Sequence, residues 1–145
     1  MTDQAAALDR LAIREVIERY TDALNRRDFA GMAALFTDDA GWSVDAPFNL
    51  RFEGAAIATS IAAMIGKHAF LLQMTHAIVV DLEGDHAVAH TTIHEVAQAA
   101  DGASGLNSFG LYHDRLVRTA EGWRFVERRF APFYLDTAPL PGMAV

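Results

Sequence analysis

The sequence predicts an α+β domain, with N-terminal helices packed on a mostly antiparallel sheet. Three observations carry this. Apolar residues recur at three- and four-residue steps between residues 8 and 65. From Ala69 onward the period drops to two. Tight-turn signals such as Glu83-Gly84-Asp85 join the strand-like stretches. Helices first and strands later is the α+β order, and short joints between strands make a sheet largely antiparallel. Helices set against a strand-rich remainder can form a cone with one open end, a shape that encloses a small-molecule pocket.

Residues 8–25 read as the first helix. Leu8, Leu11, Ala12, Val16, Ile17, Tyr20, Ala23 and Leu24 form its apolar stripe, and Arg14, Glu15, Glu18 and Arg19 its wet side. Asp28 is placed to cap a second helix over residues 29–36, its carboxylate accepting orphan N–H groups. An aromatic strand around Trp42 follows, and Phe52-Glu53-Gly54 opens a third helix over residues 55–66 with Ile57, Ile61, Met64 and Ile65 buried. Gly66 stops it. Two hairpins come next: Phe70–Leu82 with His86–Gln98, and Leu106–Arg118 with Trp123–Tyr134. Pro139 and Pro141 keep the apolar tail from continuing a strand. The tail either covers a pocket mouth or subunit seam, or is a frayed end.

Composition bounds the function. The 145 residues make one domain, and 52% hydrophobic content supports a sizeable core. A net charge of −7 with no basic run argues against nucleic acid and anionic membrane surfaces. The absence of cysteine excludes disulfides and thiolate metal sites. No apolar run reaches the roughly 20 residues of a membrane helix, and the N-terminus lacks a signal-peptide pattern. A cytoplasmic location is the expectation. No phosphate loop, dinucleotide fingerprint or nucleophile elbow occurs. No cofactor is expected.

The first hairpin can be read for facing. With a loop of two or four residues, Met74, His76, Ile78, Val80 and Leu82 share a face with Ala87, Ala89, Thr91, Ile93 and Glu95. That face is the more apolar and is placed inward. A three-residue loop or a β-bulge would reverse it for one strand. Two ionisable groups, His76 and Glu95, then lie on an apolar face. A four-residue loop makes them diagonal neighbours, about 7–8 Å apart at the backbone. A two-residue loop separates them by roughly 13 Å. Together in a dry pocket they would make a general base, the carboxylate holding the imidazole tautomer. Against this stands the reading of His76 as a packed core residue and Glu95 as a rim residue.

Other residues are weighed the same way. Tyr20 can donate to a ligand oxygen or simply pack, and Trp42 and Tyr112 can line a pocket or fill a core. His90 and His94 are about 13 Å apart on a strand and do not form a metal pair. No metal site is expected. His113 and Asp114 point to opposite faces. Arg128-Arg129 reads as solvated strand charge in preference to an anion site.

The order Tyr20…Asn25-Arg26-Arg27-Asp28, Phe36-Thr37-Asp38-Asp39 with Trp42, Phe52-Glu53-Gly54, the His76 strand, and Tyr112–Arg118 followed by Gly122-Trp123-Arg124 carries a resemblance. Over about residues 8–135 the chain resembles the SnoaL-like branch of the NTF2-like superfamily, whose members include scytalone dehydratase and hexachlorocyclohexane dehydrochlorinase. The resemblance implies a conical α+β barrel with a strongly curved sheet and an apolar pocket for a small apolar molecule. It further implies a homodimer or homotrimer, and proton abstraction with elimination by a His–Asp dyad without cofactor. It places the dyad histidine at His76, its aspartate at Asn25, and pocket positions at Tyr20 and Trp42. A second histidine of scytalone dehydratase falls on Ala97. Asn25 departs from the pattern: an amide can hold a histidine but cannot stabilise imidazolium by charge. In serine proteases the corresponding change costs about 10⁴ in turnover. Three functions follow as expectations: a dehydratase-like lyase or isomerase with His76 as base and Glu95 or Asn25 orienting it, a ligand-binding protein, or a module with a filled cone.

Overall fold

A computed structural model describes residues 2–145. Helix α1 (Asp3–Asn25) begins five residues before the expected start, because the Thr2 hydroxyl accepts the Ala5 N–H at 3.1 Å and caps it. Ile13, Ile17, Tyr20 and Leu24 form its buried stripe. One turn before Ile13 on the same face, Asp9 ties the helix to the sheet. It takes two hydrogen bonds from Arg118 at 2.8 and 2.7 Å and one from the Trp123 indole at 3.1 Å.

Helix α2 (Phe29–Ala33) is capped as expected, Asp28 Oδ1 accepting the Gly31 N–H at 2.9 Å. It ends early because the Leu35 carbonyl accepts the Phe125 N–H at 2.9 Å and starts strand pairing. Strand β1 (Phe36–Val44) carries Trp42. Strand β2 (Leu50–Glu53) is an element the helix-opening reading of Phe52-Glu53 did not contain. It pairs with β1 and stacks Phe52 on Trp42 at 5.9 Å. Gly54, at φ +55°, turns the chain out of β2 toward α3 (Ala56–Ile65).

Four long strands follow: β3 (His68–Glu83), β4 (His86–Ala99), β5 (Gly105–Thr119) and β6 (Gly122–Asp136). The sheet order is β2-β1-β6-β5-β4-β3, with β1 parallel to β6 and the other neighbouring pairs antiparallel. The result is the α+β architecture expected: one curved sheet holding helices on its inner face. Bulges bend the long strands. No described helix is long and apolar enough to cross a membrane.

Two bulges decide which side chains reach the interior. Glu83 pairs with His86, so the first hairpin has a two-residue turn, Gly84-Asp85. Ile78 pairs with Thr91 and Thr75 with Ile93, which leaves His76 and Ala77 in a bulge. Beyond it the inward parity of β3 passes from even to odd residues. Thr75, Gln73 and Leu71 turn inward, and Glu95 stands opposite Gln73, not Leu72 or Met74. The expected inward facing of His76 and Met74 is therefore corrected. On β6, Leu116 pairs with Phe125 but Arg115 with Glu127, so Val126 is the extra residue and Arg128 turns inward.

Candidate functional site

The core fills the cone's narrow part, where Ile13, Ile17, Ile93, Leu116 and Phe125 are fully or almost fully buried. Toward the start of β3 and the end of β4 the core gives way to a cavity of about 310 Å³. Leu24, Trp42, Ile61, Ile65, Leu71 and Phe130 make its walls apolar. Its polar groups come in two sets.

The first set is a row across three strands. Gln73, Glu95 and Ser108 are register partners on β3, β4 and β5, and all line the cavity. Gln73 Nε2 donates to Glu95 Oε2 at 2.9 Å. Glu95 Oε1 has no hydrogen-bond partner among the described residues. Burial pushes the Glu95 carboxyl above the usual glutamate range, against the smaller pull of the Gln73 hydrogen bond and of His68. Gln73 Oε1 and Ser108 Oγ are buried and unpartnered. A ligand or water that enters the cavity meets these unmet acceptors and donors.

The second set is a cluster of donors. The Trp42 indole N–H donates to the Tyr20 hydroxyl at 3.2 Å, and the Tyr20 and Tyr112 hydroxyls lie 3.4 Å apart. Burial raises both phenols above their ordinary range, Tyr20 well above it, so both stay protonated and able to donate. Beneath them sits Arg128, 0% exposed, its guanidinium carbon 3.7 Å from the Tyr112 ring centre and 4.2 Å from that of Tyr20. Arg128 Nε donates to Asp114 Oδ1 at 3.0 Å. Burial pushes the Asp114 carboxyl up to about 6, against the attraction of Arg128. Arg128 is thus a buried ion-pair partner, not the solvated strand charge its sequence suggested. Asp114 and His113 do face opposite sides, the first buried and the second half-buried.

The residues expected to form the site separate into two groups. Glu95, Tyr20, Trp42 and Tyr112 line one cavity. His76 does not: it lies exposed in the β3 bulge. Asn25 does not orient a histidine. Its Nδ2 donates to the Gln73 carbonyl and its Oδ1 accepts the Gln73 N–H, both at 2.8 Å. Since β3 is an edge strand, Asn25 satisfies backbone groups that no neighbouring strand reaches. The amide has a reason: a carboxylate could accept from the N–H but would oppose the carbonyl.

Gln73, His68 and the Arg128–Asp114 pair are site features that sequence reasoning missed. Gln73 and Arg128 lie beyond bulges that a strict period of two cannot register. His68, at the junction of α3 and β3, also lines the cavity. The tail behaves as a partial cover. Thr137 reaches the cavity, and Gln98 Nε2 holds the Leu140 and Gly142 carbonyls at 3.3 and 3.1 Å. No cluster of three or more metal-ligating side chains occurs among the described residues.

A family model described as a SnoaL-like domain matches residues 5–129. An uncharacterised protein of Mycobacterium bovis is 26% identical over 129 residues, spanning 88% of each chain. Among solved structures, a Kribbella flavida protein aligns with TM-score 0.83 at 21% identity, covering 90% of this chain and 95% of its own. A hexachlorocyclohexane dehydrochlorinase from Novosphingobium barchaimii aligns with TM-score 0.83 at 16% identity, covering 99% and 98%. At such identities the structural likeness is one of fold.

Proposed function

Because the chain belongs to the SnoaL-like domain family, we propose that it is a cofactor-independent lyase or isomerase. It removes a proton from the carbon next to a carbonyl group in a small, neutral, mostly apolar and cyclic molecule. Glu95 is the base, and the Tyr20–Tyr112–Trp42 cluster receives the carbonyl oxygen. The dehydrochlorinase neighbour, by name a proton-and-leaving-group enzyme, supports this class of chemistry.

The observation that carries the reading is a carboxylate of raised proton affinity sharing an apolar cavity with protonated hydroxyl donors. Proton abstraction next to a carbonyl needs both. The base must hold a proton long enough to compete with the carbanion, and the developing enolate oxygen must meet fixed donors. Glu95 pairs with Ser108, and Tyr112 lies four residues further along β5, about 13 Å away at the backbone. Both side chains line the one cavity, which leaves room between them for a ring-sized molecule. The walls supply no lysine or arginine, so the site favours a neutral ligand.

A ligand-binding role without chemistry is the second reading. It draws on Asn25, which serves backbone groups, and on His76, which lies outside the cavity, so that no histidine–aspartate dyad forms.

The test is deuterium exchange at the α-carbons of cyclohexanone and cyclohex-2-enone in D₂O, followed by proton NMR. The wild-type protein accelerates exchange, and Glu95→Gln loses at least ~100-fold of that acceleration, the usual scale of a general base. The rate should rise with pH along a limb above the ordinary glutamate range, because burial raises the carboxyl. Binding of the ketones without exchange would transfer the case to the ligand-binding role.

A further inference from the structure

The row of Gln73, Glu95 and Ser108 is lopsided in its hydrogen bonding. Gln73 commits its amide N–H to Glu95 Oε2 at 2.9 Å, which leaves Gln73 Oε1 as a pure acceptor. That oxygen and Ser108 Oγ are buried and have no hydrogen-bond partner among the described residues. Glu95 Oε1 is open as well. Three adjacent strands thus present three open oxygens to one apolar cavity. The basic groups nearby do not balance them. Arg128 is committed to Asp114, and His68 pulls on the Glu95 carboxyl less than the Gln73 hydrogen bond does.

We infer that this row is the headgroup subsite for a primary ammonium, so that the cavity binds small apolar amines. An ammonium group carries three donors and no acceptor, the complement of three open oxygens. The spacing agrees. Acceptors about 2.8 Å from a tetrahedral nitrogen stand about 4.6 Å from one another, and neighbouring strands lie about 4.7–4.9 Å apart. The Gln73 amide, bonded through its nitrogen to Glu95, keeps its oxygen within about 5 Å of that carboxylate. The charge is right too, since a cation supplies the partner that a carboxylate in apolar surroundings lacks. Leu71 and Ile65 offer the apolar remainder of the amine a surface, and the rings of Trp42, Tyr112 and Phe130 line the same space and suit a cation. Walls without lysine or arginine favour a neutral ligand over an anion, and the open oxygens extend that order by placing a cation above both. An alcohol of the same shape brings one donor and leaves two oxygens unmet.

Calorimetric titration at pH 7 with cyclohexylammonium chloride, cyclohexanol and sodium cyclohexanecarboxylate tests this. The wild-type protein binds the ammonium at least ~10-fold more tightly than the alcohol, and the carboxylate most weakly, as charge-assisted hydrogen bonds require. Glu95→Gln brings the ammonium-to-alcohol ratio close to one. Ser108→Ala, which removes one acceptor and no charge, lowers that ratio by at least ~3-fold. An alcohol that binds the wild type as tightly as the ammonium overturns the proposal, as does an ammonium that does not bind. A preference that survives intact in Glu95→Gln overturns it equally. The subsite does not depend on Glu95 acting as a base. Ammonium preference without ketone exchange keeps the subsite and removes the lyase. Ketone exchange without ammonium preference does the reverse.

Discussion

Two residues show how the same physics separates a functional group from a structural one. Glu95 is a carboxylate that burial disfavours, and its folded-state proton affinity lies above the unfolded value. A group shifted upward stabilises the fold below its unfolded pKa and loses that contribution as pH rises through the folded value. Glu95→Gln should therefore melt at or above the wild-type temperature at pH 8, and the gap should close near pH 4. Thermal melts at the two pH values check this, and a variant less stable at pH 8 would contradict it. Asn25 is the opposite case. Both ends of its amide are committed to the Gln73 backbone. Placing there the aspartate that the resemblance implies should cost about 1–3 kcal/mol, because a carbonyl loses its donor and faces an anion. Urea melts of Asn25→Asp measure that loss, and ketone exchange should not improve.

At the scale of elements, the sheet's facing is set by single inserted residues. The helices, both long hairpins and the Asp28 cap were legible from periodicity and turn residues, since those signals are local. The interior was legible only up to the first bulge. His76 and Ala77 in β3 exchange the inward role of His76 for that of Gln73, and Val126 in β6 brings Arg128 inside. A bulge leaves no fixed residue type behind, so a reading of alternation alone carries past it with the wrong parity. Glu95 was found because β4 carries no inserted residue between it and the apolar pattern used to orient it, while Tyr20, Trp42 and Tyr112 were named as aromatic pocket candidates with no facing argument for their strands. Strand β2 was missed because four residues before a glycine turn also read as a helix entrance. The consequence is measurable on neighbouring arginines. Arg128→Ala should destabilise by about 3–5 kcal/mol, because it strands Asp114 in the core. Arg129→Ala, which breaks an exposed pair with Asp45, should cost under about 1 kcal/mol. Equal losses in denaturant titrations would mean that the Val126 bulge is misplaced.

For the whole molecule, the curved sheet and three helices create a cone whose narrow part is packed and whose wide part holds the cavity. Buried charge is concentrated where the two meet. Arg128 and Asp114 lie under the tyrosines, while Glu95 borders the open space. The family scaffold persists, and the function proposed places acid–base chemistry in the β3–β4 row at Glu95, where the resemblance placed it at His76 and Asn25. The most direct test of that displacement compares Glu95→Gln with His76→Ala in the same ketone exchange assay, with melts on both. Loss of exchange in Glu95→Gln, with His76→Ala keeping the wild-type rate and melting temperature, is the result expected. Loss of exchange in His76→Ala with full exchange in Glu95→Gln would return the chemistry to the histidine and contradict the site described.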